Sequence, residues 1–143
     1  MSLLTDKVFY EAIAANTGIY NAVEGRIYNT AIPLPDEDAE NVPVPFVIIT
    51  FESLENDGQN KDDYEGEYDN VTINVEVCAK NREELATLTE GIRAAVLSHF
   101  NTGSDTLQDL IPLDYAFSAT AVNYDSTKPC FYQRLVYRCD TKK

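Results

Sequence analysis

The chain has 143 residues, 44% of them hydrophobic, which is enough for one domain with a buried core. Its 24 acidic and 11 basic residues give a formal net charge of −13, and residues 1–70 hold fifteen of the acidic residues against three basic ones. Such a surface repels nucleic-acid phosphate, which excludes a DNA binder that works by neutralising phosphates. The sequence has no apolar run long enough to cross a bilayer and no signal-peptide pattern, so we expect a cytosolic protein without a membrane partner.

The N-terminal third predicts a helix, a short strand and an extended connector. Thr5 and Asp6 can cap an amphipathic helix that ends at residues 16–18, and residues 26–30 form the strand. Residues 31–45 hold four prolines among acidic residues, and prolines at this density permit neither a helix nor a strand ladder. We expect a long acidic surface loop there, with a role in contacts.

The middle of the chain predicts two strands and a long helix. Residues 46–53 form a strand covered on both faces or at an interface, and residues 71–77 alternate strictly between apolar and other side chains. A polar loop over residues 54–69 joins them. Asn81 is the expected N-cap of a helix over 82–100, in which Gly91 permits close packing on the sheet. The apolar stripe of this helix consists of Leu85, Leu88, Ile92, Ala95, Val96 and His99.

The C-terminal part predicts a strand near residues 114–125, a final strand over 130–139 and a loose tail over 141–143. The expected architecture is therefore a single α+β domain over residues 1–143. It has a mainly antiparallel sheet of about four to five strands, with two helices packed on one face.

Motifs for catalysis, metals or cofactors are missing from the sequence. Three cysteines in a chain without a signal predict reduced thiols in the core or at an interface, and the lone His99 predicts a structural role. A calcium loop centred on Gly58 would need Glu at its twelfth position, where Tyr64 stands. We therefore expect no catalytic residues, no metal, no cofactor and no enzymatic activity.

The final strand combines aromatic and basic residues, a pattern that suits either base stacking or a protein interface. Because the rest of the chain is acidic, pairing with an acidic neighbouring subunit is the better interpretation. The candidate interface residues, taken with the connector, are Arg26, Tyr28, Pro43, Pro45, Tyr132, Arg134 and Arg138.

The order of these signals resembles the tail-terminator (tail-completion, minor tail component or head–tail joining) proteins of long-tailed bacteriophages and prophages. The resemblance covers nearly the whole chain, from the first helix and residues 26–28 through 45–48 and 71–79. It continues in residues 83–85 and 92–95 of the second helix and in the terminal strand pair.

This resemblance implies a structural protein that forms a hexameric ring, caps the finished tail tube and contacts the head connector. The implied partners are other copies of the chain, the tail tube and the connector, without sequence-specific nucleic-acid binding, although DNA passes through the ring. The implied location is the host cytoplasm during assembly and then the tail or neck of the virion. The alternative is a small cytosolic bacterial module that binds a peptide or a small molecule.

Overall fold

A computed structural model of the protein describes residues 2–30, 43–56, 68–102, 114–126 and 129–142. The helices in these ranges are α1 (Thr5–Ala14), which follows a 3-10 turn at Ser2–Leu4, α2 (Thr17–Ala22) and α3 (Arg82–Thr102). The strands are β1 (Ile27–Asn29), β2 (Phe46–Asn56), β3 (Tyr68–Ala79), β4 (Asp114–Ala119), β5 (Asn123–Asp125) and β6 (Cys130–Lys142).

The strands form one sheet in the order β1-β2-β3-β6-β4, and β5 pairs with β6 beside β4. All pairs are antiparallel except β1 with β2, which is parallel. The sheet is thus mainly antiparallel, as expected, but the described residues give six strands and three helices where four to five strands and two helices were predicted.

The extra strand arises because the predicted strand over 114–125 is interrupted. Residues 120–122 lie opposite only two residues of β6, 133–134. The segment therefore has one extra residue relative to β6, as in a β-bulge. Thr120 still bonds to β6, since its N–H donates to the Arg134 carbonyl at 2.9 Å and its Oγ1 accepts from the Arg134 N–H at 3.1 Å. The segment therefore forms two short strands along one neighbour.

The extra helix, α2, begins at residues that were predicted only as the end of α1. The Asn16 side chain accepts a hydrogen bond from the Ile19 N–H at 3.0 Å, so Asn16 is the N-cap of α2. The predicted capping of α1 by Thr5 and Asp6 is wrong, because Leu4 occupies the N-cap position and makes no side-chain capping bond. Thr5 is instead a buried first residue of the helix.

The main core joins the helices to alternate residues of the strands. Val71, Ile73, Val75 and Val77 are fully buried, as the alternation predicted, and they pack in one cluster with apolar side chains of all three helices. The predicted stripe of α3 is buried from Leu85 to Val96, whereas His99 is half-buried near the end of the helix.

Gly91 does not pack closely on the sheet, so that prediction is wrong. A Cβ atom at this position would lie 3.5 Å from Cγ1 and 3.7 Å from Cδ1 of Ile19, which are ordinary van der Waals distances. The glycine therefore faces α2 and leaves room for a methyl group.

Three strands extend beyond their predicted ends. β2 reaches Asn56 and β3 begins at Tyr68, so both enter the predicted 54–69 loop. β6 continues to Lys142, into the predicted tail, and the buried Thr141 pairs with Asp69 of β3. Most of the 31–45 connector and residues 57–67 lie outside the described residues. None of the described helices is long and apolar enough to span a membrane.

Candidate interaction surface

A second apolar cluster lies on the sheet face opposite the main core. Its centre is formed by Phe46 of β2 and Cys78 of β3, which are buried and directly opposite each other in the ladder. Four partly exposed side chains surround this pair, and with it they make up the outer-face cluster: Tyr28, Val44, Phe46, Ile48, Cys78 and Tyr132.

Strand register brings these residues together. Within a strand, alternate side chains point to opposite faces, so Phe46 and Ile48 lie on the outer face while Val47 and Ile49 enter the main core. Tyr28 pairs with Ile48 across the parallel β1–β2 ladder, and Tyr132 pairs with Cys78 across the β3–β6 ladder. The cluster therefore spans four adjacent strands at one end of the sheet.

The outer face becomes polar beyond this cluster. Glu76 and Arg134 form a half-exposed ion pair with 3.9 Å between Oε2 and Nη2, a distance at which solvent screening leaves little stabilisation. Further along β6, Arg138 is exposed between Thr72 of β3 and Ala116 of β4. It makes no ion pair with any carboxylate of the described residues.

Arg26 has an intramolecular role beside the cluster. Its Nε donates to the Pro45 carbonyl at 3.1 Å, and its Nη1 lies 2.8 Å from Glu24 Oε2. The side chain is 17% exposed, so most of the guanidinium is enclosed. These contacts hold the end of the proline-rich connector against the start of β1.

The predicted interface residues fall into three groups. Arg26 contacts Pro45, and Tyr28 and Tyr132 join one apolar cluster. Arg134 and Arg138 follow on the same face, while Pro43 is exposed at the beginning of a described segment and belongs to no cluster. Whether these residues contact a partner stays a prediction.

Sequence reasoning expected contacts for the 31–45 connector, which contains Val44, and allowed an interface for the strand over 46–53, but it did not single out Phe46, Ile48 or Cys78 as members of this surface. The signal was present in part, since the continuous apolar run over 46–49 indicates a strand with both faces covered. Cys78 gave no such signal, because its neighbours on the outer face become known only from the pairing of β3 with β2 and β6.

The cysteines are free and buried, as predicted. Burial raises the pKa of the Cys139 thiol to about 12, with a smaller contribution from the nearby Asp140 carboxylate. Cys139 is therefore a neutral thiol at physiological pH and lacks the thiolate that a nucleophile needs. Within the described ranges, no group of three or more His, Cys, Asp or Glu side chains is arranged to hold a metal ion.

The sequence matches no protein-family model and no curated protein. Among solved structures, the chain is similar to a chain of the structure titled "Virion of native gene transfer agent (GTA) particle". The TM-score is 0.66 at 12% sequence identity, and the match covers 96% of this chain and 94% of that chain. The two chains share a fold over almost their whole length.

Proposed function

We propose that this protein is a structural, non-enzymatic component of a phage or phage-related particle, and that it acts as a tail terminator at the head–tail junction. The observation that carries the proposal is the whole-length fold similarity to a chain of a gene transfer agent virion. The order of sequence signals supports it independently, since it resembles tail-terminator proteins along nearly the entire chain.

In this proposal six copies form a ring that caps the tail tube and contacts the head connector. Ring closure uses a heterologous interface, in which two different surfaces of neighbouring copies meet. The outer-face cluster is suited to one side of that interface, because it combines partly exposed tyrosines with an apolar centre. Arg134 lies beside it and Arg138 lies further along β6 on the same face, where both can meet carboxylates of an acidic neighbour.

The acidic charge suits a ring through which DNA passes, because carboxylates repel the phosphates and prevent adhesion. The location that follows is the host cytoplasm during assembly and the tail or neck of the finished particle.

The test is complementation of a host strain whose particle lacks this protein. The double variants Tyr28→Ser/Tyr132→Ser and Arg134→Glu/Arg138→Glu should fold but reduce infectious or DNA-transferring particles, with unterminated tubes visible by electron microscopy. A charge control is Lys7→Glu, which changes an exposed lysine of α1 outside the cluster and should complement normally.

Full complementation by both double variants would remove the outer-face cluster and the two arginines from the interface. A chain that stays monomeric at high concentration and high salt, and also fails to bind tail tubes, would contradict the ring and favour the small binding module. Genes for portal, capsid, tail-tube and tape-measure proteins beside the gene would support the proposal, whereas metabolic neighbours would oppose it.

A further inference from the structure

A groove of about 300 Å³ lies between α3 and the β4–β5 side of the sheet, away from the outer-face cluster. Apolar side chains from both sides line it, with Leu85 and Ala86 on the helix and Ala119 and Val122 on the sheet side. This volume is at the lower end of the range for ligand-binding clefts and suits a single extended segment better than a large ligand.

The β4 strand that borders the groove is the outermost strand on this side among the described residues. The Thr120–Arg134 pair is hydrogen-bonded, and bonded and non-bonded pairs alternate along an antiparallel ladder. Phe117 and Ala119 are therefore non-bonded positions whose N–H and C=O groups point away from β6.

This edge lacks the features that usually prevent strand addition. Residues 114–119 contain neither lysine nor proline, and their one charged residue is Asp114 at the beginning. The side chains of Ala116 and Ser118 are small and exposed, so the backbone of an added strand can approach closely.

Two arginines of α3 make the groove locally basic on an acidic chain. Arg82 and Arg93 both line it, together with one carboxylate, Glu90. Neither arginine makes an ion pair with a carboxylate in the described ranges. The Arg93 guanidinium carbon lies 4.5 Å from the centre of the Phe117 ring, and this stacking holds the group over β4 on the groove side.

The spacing of the arginines matches an extended chain. Eleven residues separate them, which is three helical turns on one face of α3 and about 16 Å along its axis. In an extended strand, side chains four residues apart lie on the same face about 13 Å from each other, and the long arginine side chains cover the difference.

We propose that this groove binds an extended acidic segment of a partner protein, which adds as a strand to β4. Backbone groups of Phe117 and Ala119 pair with the segment, Arg82 and Arg93 bind carboxylates four residues apart, and an apolar side chain between them contacts Leu85 and Val122. Strand addition of this kind derives affinity from main-chain hydrogen bonds and specificity from alternate side chains. The site does not depend on the ring function proposed above.

The probe is the fluorescein-labelled peptide Thr-Glu-Thr-Val-Thr-Glu-Thr, titrated with the full chain by fluorescence anisotropy. Saturable binding is expected, with NMR shifts at the Phe117 and Ala119 amides. The double variant Arg82→Gln/Arg93→Gln should weaken binding about tenfold, because two charge-assisted contacts are lost. Lys7→Gln on α1 removes an exposed lysine that does not line the groove and should leave binding unchanged. Circular dichroism checks that each variant is folded.

Two further peptides, N-methylated on alternate residues, test the strand pairing directly. Only one set of alternate N–H groups can face β4, so one peptide should lose binding while the other keeps it. The proposal would be overturned if the two N-methylated peptides bound with equal affinity, or if the double variant bound the probe as tightly as the unchanged chain. It would also be overturned if binding did not saturate at about 1 mM peptide. If saturating peptide dissociated a self-assembled oligomer, the protein that supplies the acidic segment would be another copy of this chain. That result would overturn the assignment to a separate partner.

Discussion

At the residue scale, the end of β6 concentrates buried groups that can ionise only at a cost in stability. Cys139 and Tyr137 are fully buried in the main core, and desolvation raises the pKa of both groups above their ordinary values. The Tyr115 phenol adds to the effect on Tyr137. The Tyr137 hydroxyl makes no hydrogen bond to any of the described residues. Both side chains therefore belong to a core that favours the neutral form.

This burial predicts a loss of stability in alkaline solution. The Cys139 pKa rises from 9.0 in its ordinary state to about 12 in the fold, so the native state keeps a proton that the unfolded chain has lost. The contribution of the protonated Cys139 thiol to the free energy of unfolding is complete below about pH 9. It declines by about 1.4 kcal/mol per pH unit as the pH rises toward the pKa of the folded state. Urea unfolding between about pH 8 and pH 11 should show this decline.

The matched variants for this measurement are Cys139→Ala and Val71→Ala, which truncate two buried side chains that pair across β3 and β6. Both should lower stability at neutral pH through lost packing. Only Cys139→Ala should flatten the alkaline decline, since it removes a titrating group. If the free energy of unfolding of Cys139→Ala fell with pH as steeply as that of the unchanged chain, the decline would arise from other groups.

At the element scale, α3 depends on its cap. The Asn81 side-chain oxygen accepts a hydrogen bond from the Glu84 N–H at 2.8 Å, as the sequence predicted. Asn81→Ala should therefore lower the free energy of unfolding by about 1 kcal/mol, measured by urea denaturation. Asn21→Ala is the matched control, because Asn21 is exposed within α2 and its side chain bonds to none of the described residues. Equal losses in the two variants would contradict the capping role.

The interface between α2 and α3 allows a stabilising substitution. Gly91→Ala should raise the free energy of unfolding by up to about 1 kcal/mol, since alanine restricts the unfolded chain and its methyl group meets Ile19 at ordinary distances. Gly25→Ala gives the contrast, because Gly25 has a φ of +74° and a Cβ there would lie 3.1 Å from the Tyr20 hydroxyl. In thermal unfolding, the melting temperature should rise for Gly91→Ala and fall for Gly25→Ala. A lower melting temperature for Gly91→Ala would mean that α2 and α3 pack more tightly than these distances indicate.

At the scale of the whole molecule, charge opposes the association that the proposed ring requires. Each copy carries a net charge of −13, and repulsion between copies grows as salt falls and the Debye length increases from about 8 Å at physiological ionic strength. Burial of the outer-face cluster favours association. We therefore predict small species in dilute, low-salt solution and growth toward a hexamer as protein and salt concentrations rise. Light scattering over a range of protein and salt concentrations checks this prediction. An oligomer that dissociates as the salt concentration rises would contradict it.

The sequence by itself determined the elements whose signals are local. Alternation over residues 71–77 specified a strand and its buried face, and the periodic stripe with the Asn81 cap specified α3, because each pattern is complete within one element. Composition likewise placed the cysteines in buried positions. Of the candidate surface, the aromatic and basic residues of β6 and the apolar strand after residue 45 could be identified in this way.

Only the tertiary structure decided how these elements meet. The parallel pairing of β1 with β2 brings Tyr28 beside Ile48, and the order β2-β3-β6 places Phe46, Cys78 and Tyr132 side by side. The interruption at residues 120–122 likewise depends on the register with β6. Side-chain periodicity reports which face of an element is buried, but it contains no information about which strand is its neighbour. Strand order and register depend on packing between residues far apart in the chain, and these determined both the outer-face cluster and the groove beside β4.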